Sequence, residues 1–236
     1  MLPARGIDLS RNRLLGALPE KERQLLSPNW HLIHLPRGEL IYEHGDILRY
    51  LYFPLDCVIS TVAIMDDGAT VEVAMTGREG LFGVEAVFDL HTAQYWTEAM
   101  VQGNAIRIES KALRDKIETS SHLSAILMNY YCSLINHLSV RAVCHTRHSV
   151  LQRLCCWLLM VHDRTGSAEL PLTQEIIARK LGSRRAGITE AARSLQKRGA
   201  IRSCRGHIYL RNLKLIETAA CECYQAQKKN DRPASA

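Results

Sequence analysis

Residues 170–210, LPLTQEIIARKLGSRRAGITEAARSLQKRGAIRSCRGHIYL, decide how this chain is read. Thr173 is a good N-cap with Glu175 in the first turn behind it. Ile176, Ile177 and Leu181 supply an apolar face before Gly182 closes the helix. Ser183 is positioned to cap a second helix, in which Ile188, Ala191, Ala192 and Leu195 recur at three-to-four-residue spacing. That spacing leaves Arg184, Arg185, Thr189 and Arg193 pointing outward. After Gly199 and Ile201, Arg205-Gly206 reads as a hairpin turn, and His207-Ile208-Tyr209-Leu210 alternates as a short strand does. Helix, turn, helix and β-ribbon predict a winged helix-turn-helix.

Charge points that motif at nucleic acid. Between residues 171 and 215 there are 11 Lys and Arg against 2 acidic residues, a balance of +9. The remaining chain holds 19 against 22, so the whole excess behind the net charge of +6 sits on this segment. Each cation that displaces a condensed counterion adds affinity for phosphate whatever the base sequence. Double-stranded DNA is the expected partner.

Working outward, 236 residues of which 47% are hydrophobic suffice for packed cores in one or two domains. No run approaches the roughly 20 apolar residues of a membrane span. The opening MLPARGIDLSRNRLLGALP lacks the uninterrupted apolar core of a secretory signal, so no membrane association and a cytoplasmic location are expected. The eight cysteines are then reduced thiols. Leu14, Leu15, Leu18, Leu25 and Leu26 fall on helical spacing broken at Pro19, which predicts one or two short opening helices. From His31 to Ile108 short alternating β-branched and aromatic runs are separated by turns at Arg37-Gly38, His44-Gly45-Asp46, Asp67-Gly68 and Gly103-Asn104. This predicts a jelly-roll β-barrel and hence an α+β chain. A long helix from His122 then carries a stripe of Leu123, Leu127, Tyr130, Leu134 and Leu138, widened by Ile126, Tyr131 and Ile135. We expect that stripe to be buried between two chains, as in a coiled-coil dimer.

The order barrel, long helix, winged helix-turn-helix resembles the Crp/Fnr family of transcription regulators. GELIYEHGD and LYFPLDCVIS in the roll, HSVLQRLCCWLL, and LGSRRAGITEAARSLQKRGAI near the end carry the resemblance. It implies a roll-shaped sensor domain over residues 1–119, a dimerisation helix over 120–145, and a DNA-binding domain over 146–215. A C-terminal helix and flexible tail would fill 216–236. It also implies a homodimer reading a palindrome with half-sites about one helical turn apart, with RNA polymerase as a further partner. Against the family's recognition helix, Arg185 falls on a base- or phosphate-reaching Arg, Ala186 stands where Glu is common, and Glu190 where another Arg is common. The half-site should therefore differ from the TGTGA type. Arg185 suits guanine O6 and N7, and Glu190 suits cytosine N4. Thr173, Gln174, Ser183, Arg184, Thr189, Arg193, Arg205 and His207 complete the expected DNA-contacting set.

The departures from the family concern the effector. Cyclic-nucleotide binders of this type hold ribose with Gly-Glu and phosphate with a following Arg. Here the loop reads Gly77-Arg78-Glu79-Gly80-Leu81-Phe82-Gly83-Val84-Glu85, and no Arg follows until Arg107. Where the phosphate Arg belongs stands Tyr95-Trp96-Thr97-Glu98, so a cyclic phosphate meets a carboxylate. Cyclic AMP is not expected to bind. A pocket for another, unidentified effector would draw on Gly80, Phe82, Gly83, Glu85, Tyr95 and Trp96. The iron-sulfur members use a cluster of N-terminal cysteines, and none precedes Cys57. Cys144, His145 and His148 with His137 show no closed zinc-ligand pattern, so no metal or cofactor is expected. Two other readings remain open. An effector-free DNA-binding protein would show the same altered loop. A metal-binding cupin-like enzyme is disfavoured because no His-x-His occurs and His31 and His34 fall on opposite faces of a strand, so no catalysis is expected.

Overall fold

The computed structural model describes residues 2–3 and 8–230. The tail expected to be flexible lies, for residues 231–236, outside the described residues. The chain divides into two compact units, and the division falls inside the long helix, between Ile135 and Asn136.

The first unit opens with β1 (Leu2–Pro3) and two short helices, α1 (Arg13–Ala17) and α2 (Glu20–Leu26), as the interrupted leucine spacing predicts. Asn12 starts α1: its Oδ1 accepts from Leu15 N, while Nδ2 donates to the carbonyls of Pro54 and Gly80 at 2.9 and 2.8 Å. This buried amide thus has every polar atom occupied. The roll follows as β2 (His31–Leu35), β3 (Leu40–Tyr42), β4 (Tyr50–Pro54), β5 (Val58–Ile64), β6 (Thr70–Thr76), β7 (Trp96–Val101) and β8 (Gly103–Glu109). The strands form two four-stranded sheets, ordered β1-β2-β8-β4 and β3-β7-β5-β6. Two four-stranded sheets are the jelly roll that the strand spacing suggested. Leu51, Phe53, Ile59, Ile106 and Ile108 fill the space between.

After α3 (Ser110–Thr119) comes α4 (Ser121–Arg147), the expected long helix. Part of its stripe is covered within the same chain. Leu123 and Leu127 are 0% and 1% exposed within the core of their own roll, and Tyr130 and Leu134 pack on the same cluster. The Tyr130 hydroxyl donates to the Leu81 carbonyl at 3.1 Å. Leu123 and Leu127 are thus covered within their own chain, whereas Tyr130 and Leu134 are half-buried. Leu138 alone of the five is exposed.

The second unit takes the tip of the β5–β6 hairpin, residues 62–74, together with the chain from Asn136 to residue 231. A capping box opens α5 (Val150–Thr165): Ser149 Oγ accepts from Gln152 N, and the Gln152 side chain returns to Ser149 N. Leu154, Trp157, Leu158 and Val161 on α5 form the unit's core. Glu72, fully buried, accepts from Trp157 Nε1 at 2.8 Å and from Arg141 Nη2 at 3.0 Å, so the buried charge is both paired and hydrogen-bonded. The remaining elements are β9 (Glu169–Leu170), α6 (Gln174–Lys180), α7 (Arg185–Lys197), β10 (Ile201–Cys204), β11 (His207–Leu210), α8 (Leu213–Ala219) and α9 (Cys223–Asn230). Among the described residues, no helix is long and apolar enough to cross a membrane.

Candidate nucleic-acid interface

Thr173 caps α6 as its position predicts, its Oγ1 accepting from Ile176 N at 3.2 Å. Gly182 takes φ +54 in the turn, a conformation that costs glycine nothing. Ser183 does not cap the next helix. Its hydroxyl donates to the Leu181 carbonyl and accepts from Arg153 Nη2 at 2.9 Å, so Arg153 on α5 fastens the turn and Arg184 becomes the residue before α7. Ser183 is thereby held in the turn, half-buried.

Ile188, Ala191, Ala192 and Leu195 on α7 are all buried, as the spacing requires. The opposite side is open. Arg185, Ala186, Thr189, Glu190 and Arg193 line one groove of about 550 Å³ along α7. Arg185, Thr189 and Arg193 follow one another at four-residue steps and so fall along one face at successive turns. Thr189 Oγ1 donates to Gln174 Oε1 at 2.8 Å, which clamps α6 to α7. Arg184 is exposed beside them. Behind the groove, Gln196 accepts from Ser203 N at 2.8 Å and ties the helix to the ribbon.

The ribbon is a two-residue hairpin. Cys204 pairs with His207 across Arg205 and Gly206, whose φ angles of +48 and +82 are those of a type I′ turn. Arg205 is exposed at its tip. His207 turns sideways: its Nδ1 lies 2.9 Å from a Glu169 carboxylate oxygen and its ring stacks on Tyr209. Glu169 belongs to β9, which pairs with β11 as a third strand. Sequence reading missed β9, since two residues carry no periodicity.

Residues 152–218 match the Crp-like helix-turn-helix domain, and residues 32–120 match the cyclic nucleotide-binding domain. The transcriptional regulator SdrP of Thermus thermophilus is 24% identical over 196 residues, 78% of this chain and 95% of SdrP. FixK2 of Bradyrhizobium japonicum superposes with a TM-score of 0.70 at 17% identity, over 81% of this chain and 98% of that one. A CRP-family transcriptional regulator from Thermus thermophilus gives 0.66 at 22% identity, over 80% and 96%. The chain belongs to the Crp/Fnr family. It is a DNA-binding transcription regulator of the Crp/Fnr type, and the groove on α7 lies within the residues that match the helix-turn-helix domain.

The residues expected around an effector differ in how far they are buried. A side chain at Gly80 would collide with the Tyr130 ring, which makes Gly80 the place where α4 crosses the roll. Phe82 is buried with Tyr42 and Tyr52, each ring centroid 6.2 Å away. Gly83, at φ +84, starts the 3-10 turn Val84–Phe88 against Leu51. Glu85 in that turn is held by burial above the usual carboxylate range. Tyr95, by contrast, is 43% exposed. Trp96, at the start of β7, is half-buried. In this Crp/Fnr chain the loop glycines mainly serve packing, a role invisible without knowing where α4 passes. Burial likewise pushes the Tyr52 hydroxyl far above its ordinary range.

The cysteines show a second departure. Cys144, His148, Cys221 and Cys223, which the sequence left as unrelated side chains, bring their ligand atoms within 4.8 Å of one another. Their separation of 77 residues between Cys144 and Cys221 hid them from any local spacing rule.

Proposed function

We propose that the protein acts as a homodimer that reads a palindromic DNA site, with α7 in the major groove and the Arg205 hairpin tip on the flanking backbone. One observation carries this reading: Arg185, Thr189, Glu190 and Arg193 share an exposed groove on a helix whose other side is wholly buried. Arg185 and Glu190 are assigned to base edges, and Arg184, Arg193 and Arg205 to phosphates. Thr173, Gln174 and Ser183 position the two helices, and His207 supports the wing. The dimer face of α4 is assigned to the exposed side carrying Met128, Cys132 and Val143, away from Leu123 and Leu127.

Salt dependence tests the phosphate roles. Losing Arg193 or Arg205 should lower the slope of log affinity against log salt by about 0.9 per half-site, so by nearly two for a dimer on its site. An unchanged slope in both variants removes those residues from the interface.

The effector is not cyclic AMP in this reading. Glu98 stands on β7 where a phosphate-binding Arg is required, and the guanidinium of Arg107 already lies over the Tyr50 ring, 4.2 Å from its centroid. Isothermal titration should show no binding of cyclic AMP, and a low-micromolar dissociation constant would overturn this assignment. The same altered loop also suits an effector-independent DNA binder, which an identical result for a wider metabolite panel would favour. No catalytic role is assigned, and recruitment of RNA polymerase follows only if the bound dimer activates transcription in a purified system.

A further inference from the structure

Cys144 and His148 stand four residues apart, one helical turn, and the His148 N–H donates to the Cys144 carbonyl at 3.2 Å. Cys221 and Cys223 flank Glu222 between α8 and α9. Cys144 Sγ lies 3.5 Å from Cys221 Sγ, and Cys223 Sγ lies 3.6 Å from His148 Nδ1. A disulfide would need the sulfurs at about 2.05 Å. Tetrahedral zinc, with Zn–S of about 2.3 Å and Zn–N of about 2.0 Å, sets two sulfurs about 3.7 Å apart and a sulfur and nitrogen about 3.5 Å apart. These two separations match two edges of that tetrahedron, and all four ligand atoms lie within 4.8 Å of one another. We propose that Cys144, His148, Cys221 and Cys223 form a structural zinc site that ties the end of α4 to the α8–α9 junction.

Two features favour a metal over a chance meeting of thiols. All three cysteines are buried, and the His148 side chain is only 13% exposed, so the set is closed as structural sites are. On its outer side, His148 Nε2 lies 3.3 Å from a Glu222 carboxylate oxygen. A carboxylate there holds the proton on Nε2 and leaves the Nδ1 lone pair for the side of Cys223 Sγ, the arrangement that orients metal-bound histidines. Cys156, with Sγ 3.3 Å from Cys221 Sγ, is a neighbour and not a ligand, because it falls outside the four residues whose ligand atoms all lie within 4.8 Å of one another.

Binding balances simply: one Zn²⁺, three thiols and a neutral imidazole give three Zn–S bonds and one Zn–N bond and release three protons, with nothing oxidised. The metal fixes the segment that follows the wing onto the helix that precedes the DNA-binding elements. It thereby holds the second unit closed by a link spanning 77 residues of chain.

The full-length protein, purified under reducing conditions without chelator, should carry about one zinc per chain by mass spectrometry of the elements. Cys221→Ser with Cys223→Ser should lose it, whereas Cys132→Ser with Cys155→Ser should keep it. Cobalt titrated into the metal-stripped wild-type chain should give sulfur-to-cobalt charge-transfer bands and tetrahedral d–d bands that saturate at one equivalent. This second measurement stands even if the double variant misfolds. Failure of the wild-type chain to take up either ion while its thiols remain titratable overturns the proposal. Retention of zinc by a folded Cys221→Ser, Cys223→Ser chain overturns the ligand set. A Cys144–Cys221 or Cys156–Cys221 disulfide in native metal-free protein overturns it too, and makes the cluster a redox pair.

Discussion

Helices α7 and α4 both repeat apolar residues at three-to-four-residue spacing, yet they use them differently. On α7 the apolar residues occupy one side and arginines the other, so Ile188, Ala191, Ala192 and Leu195 have one place to go and the charged face has one kind of partner. On α4 the apolar residues run further around. Leu123 and Leu127 close the roll, while Met128 at 43% and Val143 at 55% exposure face solvent elsewhere. A stripe bounded by charge names its neighbour. A helix apolar on several sides says only that it will be covered, and the first stripe visible in the sequence went to the roll.

Breaking that contrast is straightforward, and the largest effect should come from the side of α4 given to the roll. Leu127→Ala leaves a cavity in a side chain's full contact shell and should cost about 2–5 kcal/mol of stability in denaturant unfolding, with dimerisation retained in the surviving folded fraction. A loss below about 1 kcal/mol would return Leu127 to an interface between chains. The exposed side gives the mirror result. Met128→Glu with Val143→Glu should leave the melting temperature within a few degrees but yield monomers in sedimentation, and mild oxidation of the unmodified protein should cross-link two chains through the exposed Cys132. An unchanged dimer and no cross-link through Cys132 would remove this face from the interface.

Smaller effects sharpen the α7 side. Thr189→Val removes the hydrogen bond to Gln174 Oε1 and should cost about 1 kcal/mol in stability, while lowering affinity equally for all DNA sites. If Thr189→Val instead shifts the preferred sequence, Thr189 reads a base. On α4 the comparison is sharpened by a pH effect. Burial, then the nearby charges of Arg141 and Arg153, pull His145 down from 6.5 to about 4. Through that window the folded chain binds fewer protons than the unfolded one, so this contribution to stability is present above pH 6.5 and is lost as pH falls towards 4. His145→Gln should flatten the drop in melting temperature across this range, and an unchanged pH profile would show that His145 is not its source.

Most of the architecture was legible because local rules and tertiary packing agreed. Thr173 caps, Gly182 turns, and Arg205-Gly206 makes the hairpin for reasons contained in those residues themselves. Ser183 misled because a good capping side chain found a better offer from Arg153, thirty residues earlier. Gly80 carries a packing role of the same kind: the Tyr130 ring passes over it, and nothing near residue 80 announces that ring. The cysteine–histidine cluster was illegible for the same reason at greater distance. One turn of helix and a Cys-x-Cys pair each look ordinary until the fold brings them together.

The claim on which the rest depends is that paired α7 helices read DNA through Arg185. Selection of binding sites from a random DNA pool by the purified protein, run in parallel with Arg185→Ala and Arg193→Ala, tests it most directly. The wild type should select a two-fold symmetric motif. Arg185→Ala should lose about 1–3 kcal/mol and flatten the preference at one symmetry-related base pair, while Arg193→Ala keeps the motif and binds every site more weakly. An asymmetric motif would contradict the dimer, and a motif unchanged by Arg185→Ala but altered by Arg193→Ala would contradict the placement of α7 on the groove.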